Sequence, residues 1–165
     1  MCENRSADLS NRRFRVEWTV QIIYCILAMA TWMTDRLVVV PLDMSEFSLN
    51  ALATARDLVS DIANIRILHV LPPLERYDLS EHRSDQTRAA MSVFVQERGF
   101  PKMNISIRTG DPVKQIVQFA DECTAGLIVI PSHGRGMITE MLLGSTTYSV
   151  VRQSRCPVLV LKPKR

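Results

Sequence analysis

Several common chemistries are missing from this sequence. Its four cysteines, Cys2, Cys25, Cys123 and Cys156, form no Cys-x-x-Cys pair and take no zinc spacing with the three histidines. That excludes a zinc module and a dithiol redox motif. Cys123, in an expected helix, and Cys156, just before an expected strand, read instead as buried free thiols of a reducing compartment. There is no basic block interleaved with aromatics. Lys and Arg number 20 against 17 Asp and Glu, a net charge of +3, part of it in the tail Lys162, Lys164 and Arg165. A nucleic-acid partner is therefore not expected. No carboxylate cluster with metal-ligand character, no internal repeat and no low-complexity segment occurs. The apolar run from Val20 to Met33, interrupted by Gln21, falls short of the roughly 20 residues of a membrane span.

The chain has 165 residues, 47% of them hydrophobic and 22% charged, which is ordinary for one globular domain with a sizeable core. Two parts differ in character. Residues 1–34 form an extension unlike the rest, and 35–165 carry the globular pattern. The stretch "RRFRVEWTVQIIYCILAMATWM" has a basic flank before its apolar run. It is compatible with a dispensable extension and initiation at Met33, with a membrane-interacting anchor over residues 16–33, or with a signal peptide ending near Ala28-Met29-Ala30. Membrane contact is expected only if this segment is retained.

From Leu37 onward short apolar runs alternate with longer amphipathic ones. "LVVVP" (Leu37 to Pro41) lacks polar alternation, as expected for a strand buried on both faces. Ser45 can cap a helix in which Leu52, Ala55, Val59 and Ile62 recur at helical spacing. "IRILHV" (Ile65 to Val70) predicts a second strand, closed by Pro72-Pro73, and Leu74 to Ser84 a loop or irregular helix start. Ala90, Phe94 and Val95 share a helical face, and Gly99 suits the position after its last turn. "NISIR" (Asn104 to Arg108) alternates and belongs nearer a sheet edge. In "TGDPVKQIVQFA", Gly110 turns the chain, Asp111 caps and Pro112 takes the first helical position. Val113, Ile116, Val117 and Ala120 form that helix's buried stripe. "LIVIP" (Leu127 to Pro131) and "PVLVL" (Pro157 to Leu161) complete five strands.

This alternation predicts an α/β fold, a parallel sheet of order 3-2-1-4-5 with helices on both faces. Ligands of such open sheets bind at the carboxyl ends of the strands, where the order reverses. "PLDMSE" and "PSHGRGM" meet there. Gly134 and Gly136 permit unusual backbone angles and close ligand approach. Nine residues further on, Gly144-Ser145-Thr146-Thr147 starts a helix whose free N–H groups and hydroxyls can form an anion site. The glycines can equally serve only to turn the chain, and Ser145 only to cap the helix. Asp43, just past the first strand, can accept from a ribose or an amino group, or cap the next helix. The loop is neither a Walker A sequence nor the dinucleotide fingerprint. Ser132 and His133 are adjacent, so on an extended chain their side chains diverge and form no dyad. No residue is assigned as catalytic.

Over Arg36 to Lys162 the chain resembles the universal stress protein family, through "VVVPLDMSEFSLNALATA", "ILHVLPP", "TGDPVKQIVQFA", "LIVIPSHGRGM" and "LLGSTTYSVVRQSRCPVLVL". The resemblance implies a Rossmann-like fold of the adenine nucleotide alpha hydrolase type. ATP-binding members carry Gly, two residues, Gly, nine residues, then Gly and Ser or Thr. Gly134, Gly144 and Ser145 fit that pattern, and Pro131 replaces its first glycine. Adenine and ribose contacts map by resemblance onto Pro41, Asp43 and Val70. The candidate binding set is thus Pro41, Asp43, Val70, Pro131, His133, Gly134, Arg135, Gly136, Gly144, Ser145 and Thr146. ATP, or AMP or ADP, is the implied ligand, with Mg2+ as a companion of the phosphates. The resemblance further implies a cytoplasmic regulatory protein of the stress response and a homodimer through antiparallel pairing of strand 157–161. A member that acts through protein contacts without nucleotide is the first alternative. A slow ATP hydrolase using Asp43, or a protein phosphorylating itself on Ser145 or Thr146, is the second.

Overall fold

The structure is a computed structural model that describes residues 36–73, 80–133 and 143–162. The expectations for the N-terminal extension, for Gly134, Arg135 and Gly136, for the stretch 74–79 and for Lys164 and Arg165 lie outside the described residues. The elements run β1 (Val38–Pro41), α1 (Glu46–Leu58), β2 (Ile65–Leu71), α2 (Ser80–Gln96), β3 (Asn104–Thr109), α3 (Pro112–Glu122), β4 (Leu127–Pro131), α4 (Ser145–Gln153) and β5 (Val158–Leu161). The five strands form one sheet in the order β3-β2-β1-β4-β5, all neighbours parallel, as the sequence predicts.

Strand composition follows position in the sheet. Central β1 and β4 bury Val38, Val39, Val40 and every residue of Leu127–Pro131, because helices cover both of their faces. One apolar cluster joins Val38, Val40, Ile65, Ile67 and Val129 to Leu49 and Leu52 of α1 and Met91 and Val95 of α2. The opposite cluster joins Val39, Leu68, Ile128 and Ile130 to Ile116 and Phe119 of α3 and Val150 of α4. Odd and even strand residues thus feed opposite layers, as the two-residue period of a strand requires.

Three helix faces differ from expectation. Helix α1 stops at Leu58. Asp61 accepts from the Ala63 N–H at 2.8 Å and starts a separate 3-10 turn holding Ile62, so Val59 and Ile62 pack on the core from outside the helix. On α2 the buried residues are Met91 and Val95, four apart, while Ala90 is exposed and Phe94 half-buried. On α3 Ile116, Phe119 and Ala120 are buried and Val113 and Val117 only partly, because the larger Phe119 ring takes the central place. Cys123 and Cys156 are free but half-buried rather than buried, since each stands at an element end instead of inside the core. The caps of α1 and α3 and the turn after α2 match expectation. Ser45 accepts from the Ser48 N–H, Asp111 accepts from the Lys114 N–H with Pro112 at the first helical position, and Gly99 turns the chain with φ +81°.

The corrected α2 face gives a direct test. Met91→Ala is expected to cost about 2–5 kcal/mol through an unfilled core cavity. Ala90→Gln is expected to change stability by less than about 0.5 kcal/mol. Urea midpoints of the two variants check both.

Candidate functional site

The sheet opens between β1 and β4. Their ladder pairs Val38 with Leu127 and Val39 with Ile128 and goes no further. The Ile128 and Ser132 N–H groups donate to the carbonyls of Pro157, just before β5, and Leu161 at its end, so odd-numbered residues of β4 turn their amides toward β1. By the same alternation the Leu42 N–H donates to Leu68 of β2, which turns Pro41 toward β4. Continuing the register, the next two rungs call on the N–H groups of Pro41 and Pro131, and proline has none. The ladder therefore ends, and the strands can part above it.

A cavity of about 320 Å³ lies at this parting, within the range of small-molecule sites. Pro41, Asp43, Val70, Pro131, Gly144, Ser145 and Thr146 all line it, so the structure brings seven of the candidate residues together. His133 does not line it. His133 is 8% exposed, its Nδ1 lies 2.9 Å from Ser132 Oγ, and its buried Nε2 has no hydrogen-bond partner among the described residues. This contact overturns the expectation that the two side chains diverge. Ser132 stands in a bend past the end of β4, where strand alternation no longer applies. The pair is buried and off the cavity wall, so it supplies no nucleophile there.

Two helices point their N-termini at the cavity, and they are finished differently. At α3 the Asp111 carboxylate accepts from the Lys114 N–H at 2.9 Å and Pro112 has no N–H. That end presents the apolar Pro112 and Ile116 to the cavity. At α4 the cap is Gly144, not Ser145, and glycine has no side chain to bond the helix start. The first helical bond is Tyr148 N–H to Gly144 O at 2.9 Å, which leaves the N–H groups of Ser145, Thr146 and Thr147 without intrahelical partners. Gly144 itself donates to Ser132 O at 2.8 Å, so its N–H is not among the available donors. A Cβ at Gly144 would sit 3.2 Å from that same oxygen. Donors and a positive dipole end thus meet the cavity at α4, and an apolar wall meets it at α3.

The wall also carries one charged acceptor. Asp43 is the sole carboxylate among the described lining residues, and no Lys or Arg is among them. Its Oδ1 accepts from the Ser45 N–H at 3.0 Å and the Ser45 Oγ–H at 2.5 Å. His69 Nδ1 lies 2.7 Å from Leu42 O, and since a carbonyl only accepts, Nδ1 carries the proton. Thr147 Oγ1 donates to Pro131 O at 2.9 Å and fastens the start of α4 to the end of β4. Sequence reasoning overlooked Ser48, His69, Pro112, Ile116 and Thr147 as lining residues. For Thr147 a signal existed, because it completes the hydroxyl run that begins at Ser145. No group of three or more His, Cys, Asp or Glu capable of holding a metal occurs among the described residues. The perturbed titrations lie elsewhere. The Arg108 hydrogen bond holds the Glu122 carboxyl below its usual range, and burial pushes the Cys123 thiol up.

These features define a doubly wound α/β domain with a ligand crevice at its switch point. The chain belongs to the universal stress protein family, whose model matches residues 36–162. It is 29% identical over 142 residues to universal stress protein MJ0531 of Methanocaldococcus jannaschii, covering 78% of this chain and 83% of that one. The solved structure of protein MJ0577 superposes with a TM-score of 0.65 at 29% identity, covering 79% of this chain and 97% of that one; MJ0577 comes from the same organism. A universal stress protein solved in complex with cAMP superposes with a TM-score of 0.57 at 25% identity, covering 76% and 96%.

Thr147→Val is expected to destabilise the fold by about 1–2 kcal/mol, since it strips a buried carbonyl of its partner at nearly constant side-chain volume. Chemical denaturation measures it.

Proposed function

We propose that this universal stress protein binds an adenine nucleotide, ATP or else AMP or ADP, and acts as a cytoplasmic regulatory module of the stress response. The observation that carries this reading is the cavity at the β1/β4 parting, where an uncapped helix start and a fixed carboxylate face each other. The phosphates sit at the N–H groups of Ser145, Thr146 and Thr147, the hydroxyl-bearing sugar at Asp43, and the base against the side of Val70, Pro112 and Ile116. Pro41 and Pro131 form the floor. Gly134, Arg135 and Gly136, which lie outside the described residues, remain candidate phosphate contacts by the family pattern, whereas His133 is buried off the cavity wall. The group fits the residues present on two grounds: helix-start N–H groups without intrahelical partners, and a glycine cap where a side chain would crowd Ser132 O. Mg2+ would come with the phosphates, because the described wall offers it one carboxylate. A relative solved with cAMP supports the ligand class. Among the described residues no helix is long and apolar enough to cross a membrane.

Pro131 favours one second reading, a member that works through protein contacts alone, because its ring occupies the cavity floor without offering an N–H. Equilibrium binding to nucleotide-stripped protein separates the two. Wild type is expected to bind ATP or AMP below millimolar concentration, with Asp43→Ala and Gly144→Val each weakening it by about tenfold or more. A wild type without affinity at millimolar nucleotide would end the nucleotide reading.

The proposed partner is a second copy through strand 157–161. Residues Val158 to Leu161 are all half-buried, and Tyr148 and Val151 on the adjacent α4 are 51% and 43% exposed. Pro157 and Leu161 turn their carbonyls to β4, so Val158 and Val160 direct their backbone groups to the outer edge. An apolar edge of this kind calls for a strand partner. Val160→Pro removes an outward N–H and no bond to β4. It is expected to convert a dimer to a folded monomer in light scattering, with the far-UV spectrum unchanged.

A further inference from the structure

Between the end of β1 and the start of α1 the chain makes a turn that neither strand nor helix requires. Met44 lies at φ +61°, in the left-handed region where an unbranched but bulky side chain is uncommon. Such a conformation persists only where its surroundings over-determine it, and here they do. Ser45 directs both of its donors, the N–H and the Oγ–H, to the same oxygen of Asp43. Its hydroxyl has one proton, which Asp43 takes, so the Ser48 N–H at 3.2 Å meets a lone pair of Ser45 Oγ. Ser48, 1% exposed, donates its own hydroxyl to Ser45 O at 2.9 Å. One small side chain thus caps α1 and grips the cavity's only described carboxylate.

We propose that Ser45 is the positioning residue of the cavity: its hydroxyl sets the orientation in which Asp43 meets the ligand, beyond its service as a helix cap. The inference rests on the nucleotide reading and adds to it. A carboxylate on a flexible turn loses rotamer freedom when a ligand docks. Here two hydrogen bonds to a charged acceptor have already fixed it, one of them short, so ligand hydroxyls meet a preorganised acceptor. Ser45 touches no ligand itself. Removing its hydroxyl leaves Asp43 in place with the Ser45 N–H bond but without the shorter of the two bonds that orient it.

Glycine is nearly as good a helix cap as serine, so Ser45→Gly separates the two roles with little loss of helix stability. Calorimetric titration with ATP is expected to show binding about tenfold weaker in Ser45→Gly and within about twofold of wild type in Ser45→Thr, which keeps the hydroxyl. In an Asp43→Ala background the same Ser45→Gly change is expected to move the dissociation constant by less than about twofold, because the two residues act as one unit. A Ser45→Gly protein that binds like wild type overturns the proposal. An equal loss with and without Asp43 does so too, since Ser45 would then act through α1 alone; both results leave the nucleotide reading standing. A wild type that binds no nucleotide overturns the two together.

Discussion

Two missing amide hydrogens shape this molecule. The central ladder between β1 and β4 ends where its next donors would come from Pro41 and Pro131. Were either residue to supply an N–H, the ladder could run on and the strands would stay pressed together at their carboxyl ends. Both prolines sit at strand ends with their ring nitrogens facing the gap, a placement that costs the sheet no bond to β2 or β5. The switch point of the strand order supplies the place for a crevice, since the connections leave β1 and β4 in opposite directions. The prolines make that crevice open at the level of single hydrogen bonds. Pro131 therefore belongs to the architecture as its counterpart Pro41 does, and its ring is a wall element rather than a defect.

Around that opening, polarity is distributed by how each element ends. Helix α3 is finished by an aspartate and a proline, which consume or delete its donors and leave hydrocarbon facing inward. Helix α4 is finished by a glycine whose own N–H is spent on Ser132, so the donors one step further in stay available. The acceptors gather on the opposite side, at Asp43. A ligand lying across the cavity thus meets an apolar surface, an acceptor and a cluster of donors in separate places, which dictates its direction as well as its class.

The strand order and the caps of α1 and α3 were legible from the sequence because they rest on local chemistry. Unbroken β-branched runs mark buried strands, and Asp111-Pro112 or Ser45 marks a helix start wherever it occurs. Six cavity residues were legible for the same reason, being placed at strand ends and a helix start by their neighbours in sequence, while Val70 entered only through the family resemblance. What escaped depends on distance. The choice of Met91 over Ala90, or Phe119 over Val117, is made by which side chain fills the space between helix and sheet. The contact of Ser132 with His133 follows from a bend beyond the strand, and the spending of the Gly144 N–H from the approach of residues twelve apart. Pro112 and Ile116 reach the cavity from an element whose sequence announces only a well-capped amphipathic helix.

The backbone of Ser132 has a consequence beyond its own neighbourhood. Its N–H donates to Leu161 O, its carbonyl accepts the Gly144 N–H, and the Gly144 carbonyl accepts the Tyr148 N–H. These bonds run in one sense, from the edge strand, through the end of β4, into the first turn of α4. Ser132 thus holds the edge strand with its N–H and the cap of α4 with its carbonyl. A displacement of the outermost strand is therefore felt mechanically at the helix start beside the crevice, with one serine backbone as the hinge pin between them.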